Sequence, residues 1–192
     1  MTGKKLEPIS VEEYLAGEEI SPVKHEYIAG YVYAMVSARN SHNQSASNAL
    51  VTLGSRLRGK RCRAFNSDTK IRLRLQSGLR FYYPDASVIC RPNSQSESFQ
   101  DEPAVIIEVL SKRTRRIDEG EKKDAYFSIS SLSVYLLVEQ ESPVVVAWRR
   151  TEGGFVRENY SGVDKTVPLR EIDAELSLLE LYDGVEFSQE DD

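Results

Sequence analysis

Two nearly continuous apolar runs constrain the fold more than any other feature of the sequence. They are FYYPDASVIC, residues 81–90, and AVIIEVL, residues 104–110. Such runs are typical of β-strands that are covered on both faces, as in layered α/β structures. Each run nevertheless contains one carboxylate, Asp85 in the first and Glu108 in the second. Burying an unpaired carboxylate is costly, so both residues require a charged partner.

The remaining sequence predicts further helices and strands on both sides of these runs. Ser10 and Glu13 form a capping box that begins a short helix, and Ala29-Gly30 separates two aromatic-rich strands. The longest helix is predicted over residues 41–60. The other predicted elements are a half-exposed strand at 71–75, a helix at 118–129, strands at 133–140 and 143–150, and an end segment whose Leu176, Leu178 and Leu179 pack onto the sheet.

Length and composition predict an ordinary globular protein. The 192 residues, 40% of them hydrophobic, suit one domain over 1–192, with a core at about 8–182 and an acidic tail at about 183–192. No apolar run approaches the ~20 residues of a membrane helix, and the N-terminus lacks the apolar core of a secretory signal. Cys62 and Cys90 are too few for a disulfide framework and fit no zinc spacing. We therefore expect a reducing, cytoplasmic setting and no membrane partner.

The net charge of −5 hides a basic segment. Residues 56–80 hold nine Lys/Arg and one acid, which suits contacts with nucleic-acid phosphates. A solvated surface with scattered ion pairs is the alternative. The candidate phosphate contacts are Arg56, Arg58, Lys60, Arg61, Arg72 and Arg74.

The two carboxylates in the apolar runs predict a cation site. Side chains alternate along a strand, so Asp85 and Glu108 can point to one side if their strands are neighbours. Two close carboxylates repel each other unless a cation lies between them, and carboxylates with waters suit Mg²⁺. The alternative is two structural carboxylates, with Asp85 capping a turn after Pro84 and Glu108 paired with an arginine.

YYPDASVIC, followed by PAVIIEVLSKRTRRIDEGEKKDAYFSISSLSVYLLVEQ, resembles the Uma-two family of restriction-endonuclease-like proteins, within the PD-(D/E)XK nuclease superfamily. HEYIAGYVYAM and the stretch from Ser41 to Leu73 also resemble that family, so the similarity covers roughly residues 8–182. The resemblance implies a restriction-endonuclease-like α/β (α+β) fold. Its central mixed β-sheet would be flanked by helices, with an N-terminal helix and β-hairpin extension.

The resemblance also implies a phosphodiesterase site. Asp85 and Glu108 would be the Mg²⁺ ligands, with Mn²⁺ as a possible substitute, and metal and lysine together would assist attack by water. The superfamily lysine lies two residues after the acid, where this chain has Leu110. Lys122, on the next helix, matches a lysine of the family and would take that role. Lys123 is the competing choice if the helix is rotated.

Two upstream residues are further candidates. Glu26 matches an acid of the family and would be an additional metal ligand, or else an ordinary strand glutamate. His42 is interpreted as a helix cap or surface residue rather than a phosphate contact.

The sequence thus predicts a Mg²⁺-dependent DNA endonuclease, expected to be a homodimer by analogy with other nucleases of this fold. The alternative is a catalytically inactive module of the same fold that binds nucleic acid or protein.

Overall fold

The computed structural model describes residues 7–36 and 38–187. The predicted acidic tail therefore lies partly outside the described residues. In chain order the elements are α1 (Val11–Ile20), β1 (His25–Ile28), β2 (Tyr31–Ala34), α2 (Asn40–Arg56), β3 (Arg63–Asn66), β4 (Lys70–Leu75), β5 (Gly78–Tyr82), β6 (Ala86–Ile89), β7 (Phe99–Gln100), β8 (Pro103–Leu110), α3 (Arg115–Ile117), a π-helical segment (Asp118–Lys122), α4 (Lys123–Phe127), β9 (Val134–Glu139), β10 (Val144–Thr151), β11 (Gly154–Ser161), β12 (Thr166–Leu169), a 3₁₀ turn (Arg170–Ile172), β13 (Ala174–Ser177) and α5 (Leu178–Leu181).

A six-stranded mixed sheet, in the order β11-β10-β9-β8-β6-β3, forms the centre of the fold. The β8–β9 pair is parallel, and the other pairs of this sheet are antiparallel. One face packs against α2 and the C-terminal segment, through residues such as Leu53 and Leu176. The other face packs against α4 and β4, through residues such as Tyr126 and Ile71. Both faces are thus covered, which explains why β6 and β8 are apolar almost throughout.

A second sheet, in the order β2-β1-β5-β4-β7, carries α1. The predicted capping box begins α1, since the Ser10 hydroxyl accepts a hydrogen bond from the Glu13 amide, and the Glu13 carboxylate accepts one from the Ser10 amide. An aromatic cluster of Tyr14, Tyr27 and Phe81 attaches this helix to the sheet. The third sheet is the β12–β13 pair.

Three details differ from the predicted elements. The run at 81–90 is two strands rather than one: β5 ends at Tyr82 in the second sheet, and β6 begins at Ala86 in the central sheet. Pro84 lies at this break, where its missing amide hydrogen costs no sheet hydrogen bond. The predicted helix at 118–129 begins with a π-helical segment. Leu176 and Leu178 are buried as predicted, whereas Leu179 is exposed on the outer side of the short α5.

Cys62 and Cys90 are joined by a disulfide, which differs from the free thiols that a reducing setting implies. The strand pairing provides the reason. Arg63 in β3 is opposite Ile89 in β6, so the next residues outward, Cys62 and Cys90, also face each other. A separation of 28 residues in the sequence does not reveal this proximity. The cytoplasmic location stays a prediction. Among the described residues, no helix has both the length and the apolar character of a membrane span.

Candidate active site

Strand pairing brings Asp85 and Glu108 to the same end of the central sheet. In the antiparallel β6–β8 pair, Ala86 is opposite Ile107, which places the preceding Asp85 beside Glu108. The Asp85 carboxylate accepts a hydrogen bond of 2.7 Å from the backbone amide of Val109. The two strands are thus neighbours, as the cation-site prediction requires.

Glu108 is buried within the central sheet and has two side-chain partners. Its Oε1 lies 3.5 Å from the Lys122 ammonium and accepts a hydrogen bond of 3.4 Å from the Tyr126 hydroxyl. Burial raises the pKa of Glu108 well above its ordinary value, and the nearby Asp118 and Asp85 charges raise it further. The alternative in which an arginine neutralises Glu108 is therefore wrong: the cation that meets it is Lys122.

Lys122 lies at the centre of an acidic cluster. Its Nζ is 2.7 Å from Glu26 Oε1, 3.5 Å from Glu108 Oε1 and 3.6 Å from Asp118 Oδ1. Burial alone would lower the pKa of Lys122, but these carboxylates together raise it well above its ordinary value. The ammonium is consequently charged at neutral pH.

The helix orientation also separates Lys122 from Lys123. Lys123 points away from the acids, with its ammonium 5.1 Å from the centre of the Trp148 ring. Asp118 and Lys122 lie at the two ends of the π-helical segment, and both are buried. Segments of this kind are common at functional sites. Of the two lysines considered from the sequence, the geometry favours Lys122.

Glu26 is placed by the β1–β5 pairing of the second sheet, beside Lys122. Its Oε1 also accepts a hydrogen bond of 3.4 Å from the Tyr83 amide. Glu26 thus contacts the ammonium directly, and its role as a metal ligand stays a prediction.

His42 is buried beside Asp85, so its interpretation as a cap or surface residue is wrong. Its Nε2 lies 3.3 Å from Asp85 Oδ2, and only 9% of the residue is exposed. Burial alone would lower the pKa of His42, but its hydrogen bond with Asp85 raises it. The N-cap of α2 is Arg39, which makes no side-chain capping bond. The contact arises because the first turn of α2 packs beside the start of β6, where Asp85 lies, and no local pattern predicts this packing.

These residues surround an open cleft of about 470 Å³. Asp85, Glu108, Asp118 and Lys122 lie within it, together with His42. In addition to Lys122, four cationic residues line the cleft: Lys24, Arg39, Lys112 and Arg113. Lys112 and Arg113 begin the basic run KRTRR shortly after Glu108, and this run and its closeness to Glu108 are the signals that could identify them from the sequence.

The donor chemistry of the cleft suits a hard divalent cation. The carboxylates of Asp85, Glu108 and Asp118 line the cleft, and that of Glu26 lies next to Lys122. Together they outnumber the Lys122 ammonium, which leaves an excess of negative charge around buried groups. Within residues 7–36 and 38–187, no group of three or more His, Cys, Asp or Glu side chains is arranged to hold a metal. A metal here would therefore have few protein ligands and several waters, which is the usual coordination of Mg²⁺ in proteins. Asp85 and Glu108 fit as that small ligand set.

The six basic residues predicted to contact phosphates lie elsewhere. Lys60 and Arg61 lie just before β3, at the opposite end of the β3–β6 pair from Asp85, and Arg61 donates a hydrogen bond to the Cys90 carbonyl. Several of the six are engaged by acids: Arg56 with Glu180, Lys60 with Asp173, and Arg72 and Arg74 with Asp101. Arg58 is exposed. All six differ from the cleft-lining residues, and their role in nucleic-acid binding stays a prediction.

Comparison with known proteins supplies an independent test of the family and the fold. Residues 11–181 match the Uma2 family, described as "Putative restriction endonuclease". "Uncharacterized protein slr1290" of Synechocystis sp. (strain ATCC 27184 / PCC 6803 / Kazusa) is 32% identical over 181 residues, covering 93% of this chain and 94% of that protein. "Uncharacterized protein sll1609" of the same organism is 30% identical over 135 residues, covering 69% of this chain and 75% of that protein.

A solved structure tests the fold. The crystal structure of "a putative nuclease belonging to DUF820" from Anabaena variabilis ATCC 29413 is similar to this chain with a TM-score of 0.72 at 19% identity. The similarity covers 93% of this chain and 100% of that one. It confirms the predicted mixed α+β fold. Because the family match also spans most of the sequence, the chain belongs to the Uma2 family.

Proposed function

We propose that this protein is a Mg²⁺-dependent DNA endonuclease that hydrolyses backbone phosphodiesters, with Mn²⁺ as a possible substitute. The observation that carries the proposal is the arrangement of Asp85 and Glu108 on adjacent strand ends, with the buried Lys122 ammonium 3.5 Å from Glu108. Asp85 and Glu108 would hold the metal. When bound, a divalent cation supplies charge neutralisation at the phosphate and a more acidic water.

The side chains of the cleft have separate roles in this proposal. Lys122 stays protonated, so it stabilises negative charge on the phosphate and does not act as a base. Tyr126 orients Glu108 through its hydroxyl, and His42 together with the Val109 amide orients Asp85. Lys122 reaches the acids from the helical segment, which compensates for the absence of a lysine at position 110.

A second candidate is an inactive module of the same fold that binds nucleic acid or protein. Leu110 favours it, because this residue is 1% exposed and packs in the core instead of facing the cleft. We expect a homodimer for the enzyme by analogy with other nucleases of this fold, in which two sites cut the two strands of a duplex.

Calorimetric titration with Mg²⁺ or Mn²⁺ tests the metal site. We expect uptake by the wild-type protein and none by Asp85→Asn, which keeps the size of the side chain and removes its charge. Uptake that is equal in both proteins, or absent from both, would contradict the proposed ligands.

Incubation with plasmid, single-stranded DNA and RNA, each with and without Mg²⁺, tests the reaction and the substrate. The endonuclease proposal expects metal-dependent nicks in DNA by the wild type and none by Asp85→Asn. Metal uptake without cleavage of any of these substrates would favour the inactive module.

A further inference from the structure

We propose that a bound DNA strand is held at the mouth of the cleft by Arg39, Lys112 and Arg113, with the buried amide of Gln140 contacting it inside. This inference rests on the proposed function and identifies the surface through which that site takes its substrate. It also assigns the phosphate contacts to residues outside the basic segment 56–80.

The three cations approach the acid pair from two sides. Arg39 immediately precedes α2, three residues before His42. Lys112 and Arg113 lie in the loop that leaves β8, four and five residues after Glu108. All three are exposed, and all three line the cleft. A strand whose phosphate reaches Asp85 and Glu108 therefore passes between these two segments.

The cations at the mouth are available for a ligand. Lys112 pairs with Glu141 at 3.3 Å, but both side chains are at least half exposed, so water screens the pair. Arg39 and Arg113 form no ion pair within the described part of the chain. In contrast, Arg56, Lys60, Arg72 and Arg74 are each engaged by a carboxylate.

The charge distribution of the cleft explains how the cations at its mouth would help to bind DNA. The interior of the cleft has more carboxylates than cations, which repels the phosphates that flank the one being cut. Cations at the mouth offset that repulsion and attract a polyanion to the opening. An acidic interior with a basic mouth suits a ligand that is negatively charged along its length.

Gln140 provides the second, independent observation. This residue lines the cleft directly after β9, and only 7% of it is exposed. Its Oε1 is buried without a hydrogen-bond partner among the described residues, and so is Nδ1 of His42 in the same cleft. An unpaired buried polar group is costly to the folded state, so each one requires an explanation, and a bound ligand supplies one for a group that faces a cleft. An amide has both a donor and an acceptor, and a bound nucleotide offers partners for both.

A salt titration distinguishes the mouth of the cleft from the basic segment. The rim variant carries Arg39→Gln, Lys112→Gln and Arg113→Gln, and the charge-matched control carries Arg58→Gln, Lys60→Gln and Arg61→Gln. Both are built on Asp85→Asn so that no DNA is cut. Fluorescence anisotropy with a labelled duplex gives the slope of log K against log salt. We expect the magnitude of the slope to decrease by about 0.9 for each phosphate contact that the rim variant loses. The control should keep the slope of the parent.

The result separates this inference from the proposed function. An unchanged slope in the rim variant, a loss confined to the control, or no DNA binding by the parent would overturn the inference. Cleavage of DNA is measured separately, on the wild-type protein that keeps Asp85. A protein that cuts DNA but loses no slope in the rim variant keeps its proposed function and refutes the inference. If the rim variant loses slope but the wild-type protein never cuts DNA, the inference holds, and the protein is a binding module that holds DNA with these residues.

Replacing Gln140 by methionine tests the contact inside the cleft. We expect weaker duplex binding with a thermal midpoint equal to or higher than that of the parent, because the substitution removes the unpaired buried Oε1 and preserves volume. A merely structural glutamine would instead give a lower midpoint and unchanged binding. Unchanged binding at any midpoint would remove Gln140 from the inference.

Discussion

Replacing Lys122 by methionine should lower the free energy of unfolding by about 3–5 kcal/mol, the usual result of leaving buried charges without their partner. Methionine fills a similar volume but leaves Glu26, Glu108 and Asp118 without the ammonium that each of them now contacts. For a chain of this length, the loss corresponds to a fall of about 6–20 °C in the thermal midpoint. Calorimetric or denaturant unfolding of both proteins measures it.

The same substitution should reduce DNA cleavage by about 10²–10³-fold, the usual effect of removing one group that stabilises charge in a transition state. Cleavage is measured at a temperature where the variant is folded. Lys123→Met is the matched control, because that neighbouring side chain lies over Trp148 and away from the acids. It should change cleavage little. Equal losses in the two variants, or a stable and active Lys122→Met, would contradict the assigned position of the ammonium.

Replacing Glu108 by glutamine should abolish most cleavage without the loss of stability that Lys122→Met causes. Loss of a metal ligand removes several kcal/mol of transition-state stabilisation, about 10³-fold in rate. Lys122 keeps Glu26 and Asp118 as partners in this variant, and the excess of buried negative charge decreases. The metal-free variant should therefore be at least as stable as the wild type at neutral pH, and Mg²⁺ should raise its thermal midpoint less.

The pH dependence of unfolding tests the ionisation of the buried Glu108 carboxyl group. Folding raises the pKa of Glu108 above its ordinary 4.5, so the folded state binds a proton that the unfolded state has already released. By linkage, this group makes stability fall as pH rises from about 4.5 through the raised pKa. The Glu108→Gln variant should lose that part of the slope, while Asp118, whose pKa is also raised by burial, retains its own.

Glu158→Gln is the control for Glu108, since Glu158 pairs with Arg149 at 3.1 Å on β10–β11, outside the cleft. It should leave cleavage unchanged. A Glu108→Gln protein that cuts DNA at the wild-type rate would exclude Glu108 as a metal ligand, whatever its stability.

Much of the fold is determined by patterns that lie within short segments. The Ser10–Glu13 capping box begins α1 as predicted, because a cap satisfies amides only three residues away. The run at 104–110 forms the buried β8, since apolar side chains on both sides of a strand require cover on both faces. The unusual carboxylates in these runs also identified Asp85 and Glu108 as the centre of the candidate site.

The tertiary structure decided which distant residues meet. His42 reaches Asp85, Cys62 faces Cys90, and Gln140 enters the cleft only because strand order and register place them there. The break at Pro84 likewise sends β5 and β6 into different sheets. The sequence by itself determined the apolar strand runs, the helix cap of α1 and the presence of two acids, Asp85 and Glu108, within those runs. These features depend on neighbours along the chain. Partners, unpaired groups and the basic mouth of the cleft depend on distances across the sheet, which only the packing of the whole chain sets.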